Sequence, residues 1–219
     1  MDWNKYIDHT ILKPETTGEQ VRQVCLEALE YDFAAVCLNP YYVPAARQEL
    51  EGSQVRVCSV IGFPLGATTT EIKCKEAAKA VENGAAEVDM VINIGALKGG
   101  HTAEVEEDIA RVVKSVPGHV LVKTILECCL LTEREKVEAC RMAVSAGADM
   151  VKTSTGFNGE GATPEDVQLM RETVGNQAGV KASGGIRDFD TLRKMVNAGA
   201  TRIGTSSGVA IMKQLRAES

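Results

Sequence analysis

A chain of 219 residues, 44% hydrophobic and 25% charged, can bury one sizeable core and is short for two comfortable domains. Its formal charge of −6 is spread without a block of either sign, so nucleic acid and anionic lipid find no basic footprint. No run approaches the ~18 apolar residues of a membrane span, and the first residues, Met-Asp-Trp-Asn-Lys, lack a signal-peptide core; a cytoplasmic protein with no membrane or nucleic-acid partner is expected.

Apolar runs near 6–12, 33–38, 55–62, 87–94, 119–127, 150–155, 180–184 and 202–205 predict strands, each followed by a helical pattern. Helix starts are marked by the capping boxes Thr17-x-x-Gln20, Thr68-x-x-Glu71 and Thr132-x-x-Glu135, and by Thr163 followed by Pro164. Behind these starts, apolar residues recur at helical spacing, as in Val21, Val24 and Ala28 or Val137, Cys140 and Val144. Eight strand–helix units of about 27 residues are short but feasible for a (β/α)8 barrel. A doubly wound sheet shares the same local pattern.

Internal repetition favours the barrel. Gly84-Ala85, Gly147-Ala148 and Gly199-Ala200 each precede a strand, and the fifth residue after each glycine is Asp89, Lys152 or Gly204. A second repeat, of period 29, places Lys123, Lys152 and Lys181 after Val122, Val151 and Val180. Equivalent residues on successive units predict a single α/β domain over 1–219, a closed TIM barrel.

Strand alternation puts Val88, Met90, Ile92 and Ile94 on one face of the fourth strand, and Glu87, Asp89, Val91 and Asn93 on the other. The apolar face must meet the helices, so Asp89 points into the barrel. Lys152 is expected to point inward too, since outward it would lie beneath helices. A free lysine has a pKa of ~10.4, and fewer than ~1 in 10³ are neutral at pH 7. Desolvation and a neighbouring cation both favour the neutral amine, and Lys181 is placed to be that cation. Two lysines and a carboxylate near the C-terminal strand ends fit imine chemistry with an adjacent proton shuttle. The competing reading is a buried ion network that only fills the barrel, and for Lys123 a supporting charge is the preferred role.

After the seventh strand comes Ser183-Gly184-Gly185-Ile186-Arg187, and after the eighth Gly204-Thr205-Ser206-Ser207-Gly208. Loops at these two places, with a helix N-terminus, commonly seat a phosphate in barrels. The Gly-rich stretch Gly156 to Gly161 follows Lys152 and reads either as a loop that closes over substrate or as an ordinary connection. Neither a dinucleotide fingerprint nor a Walker lysine is present. Of seven cysteines, Cys128 and Cys129 are adjacent and the others single, with no C-x-x-C pair; reduced structural thiols are expected. His9, His101 and His119 stand alone, so zinc is a weak rival and no metal is expected.

These strings resemble the deoxyribose-phosphate aldolase family. The resemblance is carried by Asp8-His9-Thr10 with Leu12-Lys13-Pro14, by Glu87 to Gly95, by Val151 to Phe157, by Val180 to Arg187 and by Ile203 to Ser207. It implies a class I, Schiff-base aldolase that reversibly cleaves 2-deoxy-D-ribose 5-phosphate to D-glyceraldehyde 3-phosphate and acetaldehyde, without a cofactor. By that resemblance Lys152 forms the Schiff base, and Asp89 and Lys181 transfer protons. Gly156, Gly184, Gly185, Gly204, Ser206 and Ser207 hold the phosphate, and Asp8, Thr10, Cys37 and Thr153 line the substrate pocket. A homodimer or higher homo-oligomer follows from family habit. Two departures stand out: Phe157 occupies a position that is basic in some relatives, and the chain stops at Ala217-Glu218-Ser219, where some relatives end in a tyrosine. The alternatives are a sugar-phosphate isomerase or epimerase barrel, and a non-catalytic sugar-phosphate-binding barrel.

Overall fold

The computed structural model describes residues 1–218, with side chains through 217; the C-terminal departure at Ser219 lies outside the described residues. Eight parallel strands close into a barrel in sequence order. They are β1 (Ile7–Ile11), β2 (Ala35–Leu38), β3 (Arg56–Ile61), β4 (Glu87–Val91), β5 (Leu121–Ile125), β6 (Met150–Lys152), β7 (Gly179–Ser183) and β8 (Arg202–Thr205). The outer ring is built from α1 (Gly18–Glu30), α2 (Val43–Glu49), α3 (Thr70–Glu82), α4 (Ile94–Lys98), α5 (Thr102–Lys114), α6 (Glu133–Ser145), α7 (Pro164–Val174), α8 (Phe189–Asn197) and α9 (Gly208–Glu218). None of these helices is long and apolar enough to cross a membrane.

Alternation along each strand separates two interiors. Val88, Met90 and Ile92 join Val122, Val151, Val180 and Ile203 in the layer between strands and helices, with Val21, Ile109 and Val167 from the helical side. Each such side chain, fully buried, contributes roughly 1.5–3 kcal/mol. Inside the barrel, β2 and β3 present the small apolar set Ala35, Cys37, Cys58 and Val60. The charges predicted to face inward occupy the rest of that interior.

Two predicted strands are shorter than their apolar runs. β4 stops at Val91 because the Asn93 side chain accepts the Ala96 N–H at 3.1 Å and starts α4, so Ile94 is helical. β6 stops at Lys152, and beyond it the Thr153 hydroxyl donates to Ser183 O at 3.2 Å and accepts the Ser183 N–H at 3.1 Å. The boxes at Thr17 and Thr132 form, and Thr163 caps α7 with Pro164 in its first turn. The Thr68 box does not: α3 starts one residue later, and its N-cap Thr69 makes no side-chain cap bond. The three Gly-Ala repeats do close helices, with φ of +111° at Gly84, +86° at Gly147 and +112° at Gly199, where a Cβ would be strained.

The register corrects the lysine repeat. Lys152 pairs with Lys181, whereas Lys123 pairs with Asp89 on one side and Met150 on the other. Lys123 therefore lies two residues deeper in the barrel than Lys152, because β5 and β6 are staggered.

Candidate active site

The mouth of the barrel is built around Asp89. One of its oxygens, Oδ2, accepts from Lys152 Nζ at 2.8 Å and Lys181 Nζ at 2.7 Å. The other, Oδ1, accepts from Lys123 Nζ at 2.8 Å and from the Cys58 thiol at 3.1 Å. Lys181 also reaches Asp8 Oδ2 at 2.5 Å, and Arg202 meets Asp8 Oδ1 at 2.6 Å. Below them Glu87 accepts from Lys123 at 2.5 Å, Arg202 at 3.1 Å and Arg56 at 3.2 Å. Alternation explains the set: β4 aims both Glu87 and Asp89 inward, while β1, β5, β6, β7 and β8 each add one charge.

Burial pushes the Asp89 carboxyl upward, but the ammonium groups of Lys123, Lys152 and Lys181 outweigh it and hold it well below the usual carboxylate range. Asp8 behaves likewise under Lys181, Arg202 and Lys123. Burial lowers Lys181 and Lys123, yet the facing carboxylates leave both above the ordinary lysine value: Asp8 and Asp89 around Lys181, Asp89 and Glu87 around Lys123. Both carboxylates and both of these lysines therefore stay charged at neutral pH.

Above the cluster opens a cavity of about 620 Å³ whose floor is Lys152. Gly156, Gly184, Gly185, Gly204 and Ser206 stand on its wall, as does Thr10. Asp89, Lys181, Asp8 and Cys37 lie beneath, fully buried. Thr153 sits behind the wall, bonded to Ser183, and the Ser207 N–H is engaged by the Thr205 hydroxyl at 2.9 Å. Neither lines the cavity as the sequence reading expects. The loops after β6 and β7 touch backbone to backbone: a Cβ on Gly184, at φ +86°, would stand 2.8 Å from Gly161 Cα. Only glycine permits that approach.

Sequence reasoning missed several members. Arg202 closes the ring against Asp8 and Glu87, and Lys13 and Arg187 line the cavity wall. The last two stand inside the quoted strings without an assigned role, and their charge was the available signal. Phe157 lines the cavity and packs edge-on against Phe63 at 5.3 Å between ring centres. Among the described residues, metal-capable spacing arises from cysteines rather than histidines: the ligand atoms of Cys37, Cys58 and Asp89 lie within 4.8 Å of one another. Three ammonium groups already occupy the Asp89 oxygens, which opposes a further cation there.

A closed parallel barrel with amines and a carboxylate at its C-terminal mouth, under a glycine-walled cavity, defines a (β/α)8-barrel enzyme. The chain belongs to the DeoC/LacD family of aldolases, whose family model matches residues 4–214; it is a carbon–carbon lyase. It is 62% identical to a deoxyribose-phosphate aldolase of Streptococcus gordonii, over 97% of this chain and 96% of that protein. A Brevibacillus brevis protein of the same name is 59% identical over 97% and 96%. Among solved structures, the tetrameric deoxyribose phosphate aldolase of Aeropyrum pernix superposes with a TM-score of 0.92 at 36% identity, covering 99% of this chain and 92% of that one.

Proposed function

We propose that this aldolase cleaves 2-deoxy-D-ribose 5-phosphate reversibly to D-glyceraldehyde 3-phosphate and acetaldehyde, through a Schiff base on Lys152. The observation that carries the assignment is exposure within the cluster: Lys152 alone of Lys123, Lys152 and Lys181 reaches the cavity. Charge counting supports it. Three carboxylates (Asp8, Glu87, Asp89) face five cations (Lys123, Lys152, Lys181, Arg202 and the half-exposed Arg56), an excess of positive charge that a neutral amine reduces. Lys152 has one carboxylate contact, against two for Lys181 and three for Lys123, and is the lysine of the three least tied in place.

In the forward direction, neutral Lys152 attacks the open-chain C1 aldehyde and water leaves, giving a protonated imine that withdraws electrons from C2. Asp89, as an anion, accepts the C3 hydroxyl proton by way of a water, and the C2–C3 bond breaks, its electron pair passing into the iminium. Glyceraldehyde 3-phosphate departs, the enamine takes a proton at C2, and hydrolysis frees acetaldehyde and Lys152. Lys181, 2.7 Å from Asp89, holds that carboxylate in place, and the proton taken from the C3 hydroxyl is relayed through this pair to C2 of the enamine. Gly156, Gly184, Gly185, Gly204 and Ser206 form the phosphate seat, with Lys13 and Arg187 as its cations. That a relative is tetrameric supports a homo-oligomer, and seven free cysteines suit a reducing cytoplasm.

The test is release of acetaldehyde from deoxyribose 5-phosphate in the presence of a chelator, on wild type and Lys152→Ala. Turnover by the wild type alone is the expected result. Undiminished turnover of a sugar phosphate by Lys152→Ala would instead favour an isomerase or epimerase, which needs no covalent amine.

A further inference from the structure

We infer that Glu127 is a positioning residue that holds the loop after β6 in the shape that receives the substrate phosphate. The inference rests on the phosphate seat proposed above and goes beyond it to the group that shapes it.

Glu127 follows β5 by two residues and adopts the left-handed conformation, φ +60° and ψ +65°, which is strained for a residue other than glycine. Its side chain is fully buried. No cation lies within ion-pair distance of its carboxylate among the described residues; the partners are neutral dipoles. Oε1 accepts the Thr155 N–H at 3.2 Å, and Oε2 accepts the Asn158 side-chain N–H at 2.8 Å and the Thr155 hydroxyl. A strained backbone and a buried, unpaired charge both count against stability, so fold maintenance alone does not explain the residue.

All three of those bonds fall on Thr155 and Asn158, on either side of Gly156; the remaining contact of the carboxylate is the Cys129 thiol at 3.9 Å. The Thr155 hydroxyl, fixed by Glu127, in turn accepts the Phe157 N–H at 3.1 Å. Gly156 itself sits at φ +84° on the cavity wall. Its N–H donates to no protein acceptor among the described residues, while the N–H groups on either side of it are consumed by the turn. One carboxylate thus fixes which backbone donor of this loop is left for an anion. The catalytic lysine lies on the same segment, yet its ladder bonds to β5 and β7 do not pass through Glu127: Leu126 N–H donates to Lys152 O at 2.9 Å, and Thr153 N–H to Lys181 O at 3.0 Å. Loss of the carboxylate should therefore loosen the seat more than the amine.

The experiment compares kcat/KM on 2-deoxyribose 5-phosphate and on unphosphorylated 2-deoxyribose for wild type, Glu127→Ala and Glu127→Gln. The wild type is expected to prefer the phosphorylated sugar. In Glu127→Ala, kcat/KM on that sugar should fall by ~10²-fold, mostly through KM, because a loop shifted by about 1 Å loses its positioning; the value on 2-deoxyribose should change less than about threefold. Glu127→Gln preserves volume and one acceptor and should restore part of the preference. Should the Ala variant fail to fold, inhibition by inorganic phosphate, weakened several-fold in the folded Gln variant, gives the same reading. Equal losses on both sugars, or an unchanged preference and unchanged phosphate inhibition in Glu127→Gln, would overturn the inference and leave the seat standing. A wild type indifferent to the phosphate would overturn the seat and the inference together.

Discussion

Lys152 and Lys181 lie side by side across β6 and β7, yet one faces the cavity and the other two carboxylates. What separates them is the partner set rather than residue type. Asp89 is the shared anion of three ammonium groups, so Asp89→Asn leaves three buried cations short of a counter-charge. That variant is expected to lose at least ~10²-fold in activity and about 3–5 kcal/mol of stability, read from urea midpoints; a midpoint equal to wild type would show that the ammonium groups do not depend on Asp89. The inward set was legible because a strand's alternation is strict: Glu87 and Asp89 are two apart and cannot face opposite ways. Arg202 was not, since its partners Asp8 and Glu87 are 194 and 115 residues away and local pattern carries no information on which strands converge.

At the level of elements, the glycines after β6 and β7 and the caps of the helices make separable contributions. Gly184→Ala drives a methyl into the Gly161 backbone at a positive φ, so KM for the phosphorylated sugar should rise by about tenfold or more while the far-UV spectrum stays that of a barrel. An unchanged KM would mean that the two loops do not form one seat. Thr132→Ala removes a capping bond to Glu135 N–H at 3.3 Å and is expected to cost about 1 kcal/mol with activity intact. The same change at Thr69, which makes no cap bond, should cost only a few tenths of that. Caps at Thr17 and Thr132 could be read from spacing because the reciprocal side chains are three residues apart, and the cap at Thr163 from the proline that follows it. The failed box at Thr68 has the same spelling, but its helix starts one residue later, with Thr69 at the N-cap. Sequence gave too much length to β4 and β6, since apolar residues continue past the point where Asn93 and Thr153 redirect the backbone.

For the molecule as a whole, the buried ion set ties β1, β4, β5, β6, β7 and β8 into one ring, and its pH dependence follows from the directions of the shifts. Asp8 and Asp89 are depressed, so their stabilisation is complete above the unfolded carboxylate value of ~4 and is lost as pH falls toward the folded values. Lys123 and Lys181 are raised, so theirs is complete below ~10 and is lost as pH climbs through the folded values. The stability gap between wild type and Asp89→Asn should accordingly stay level from about pH 5 to pH 9 and narrow below about pH 4. A gap that already closes between pH 7 and pH 5 would show that Asp89 titrates there. Barrel closure was legible from the Gly-Ala repeat and from the level pair Lys152 and Lys181, which make sense only on equivalent units. The stagger that sinks Lys123 below Lys152 was not, because a repeat in sequence does not encode the shear of the sheet.

The most direct measurement on the central claim is borohydride reduction in the presence of acetaldehyde, followed by peptide mapping. The account predicts a single reduced adduct on Lys152, absent from Lys152→Ala. An adduct on Lys123 or Lys181 in its place, or turnover with no trappable adduct, would contradict it.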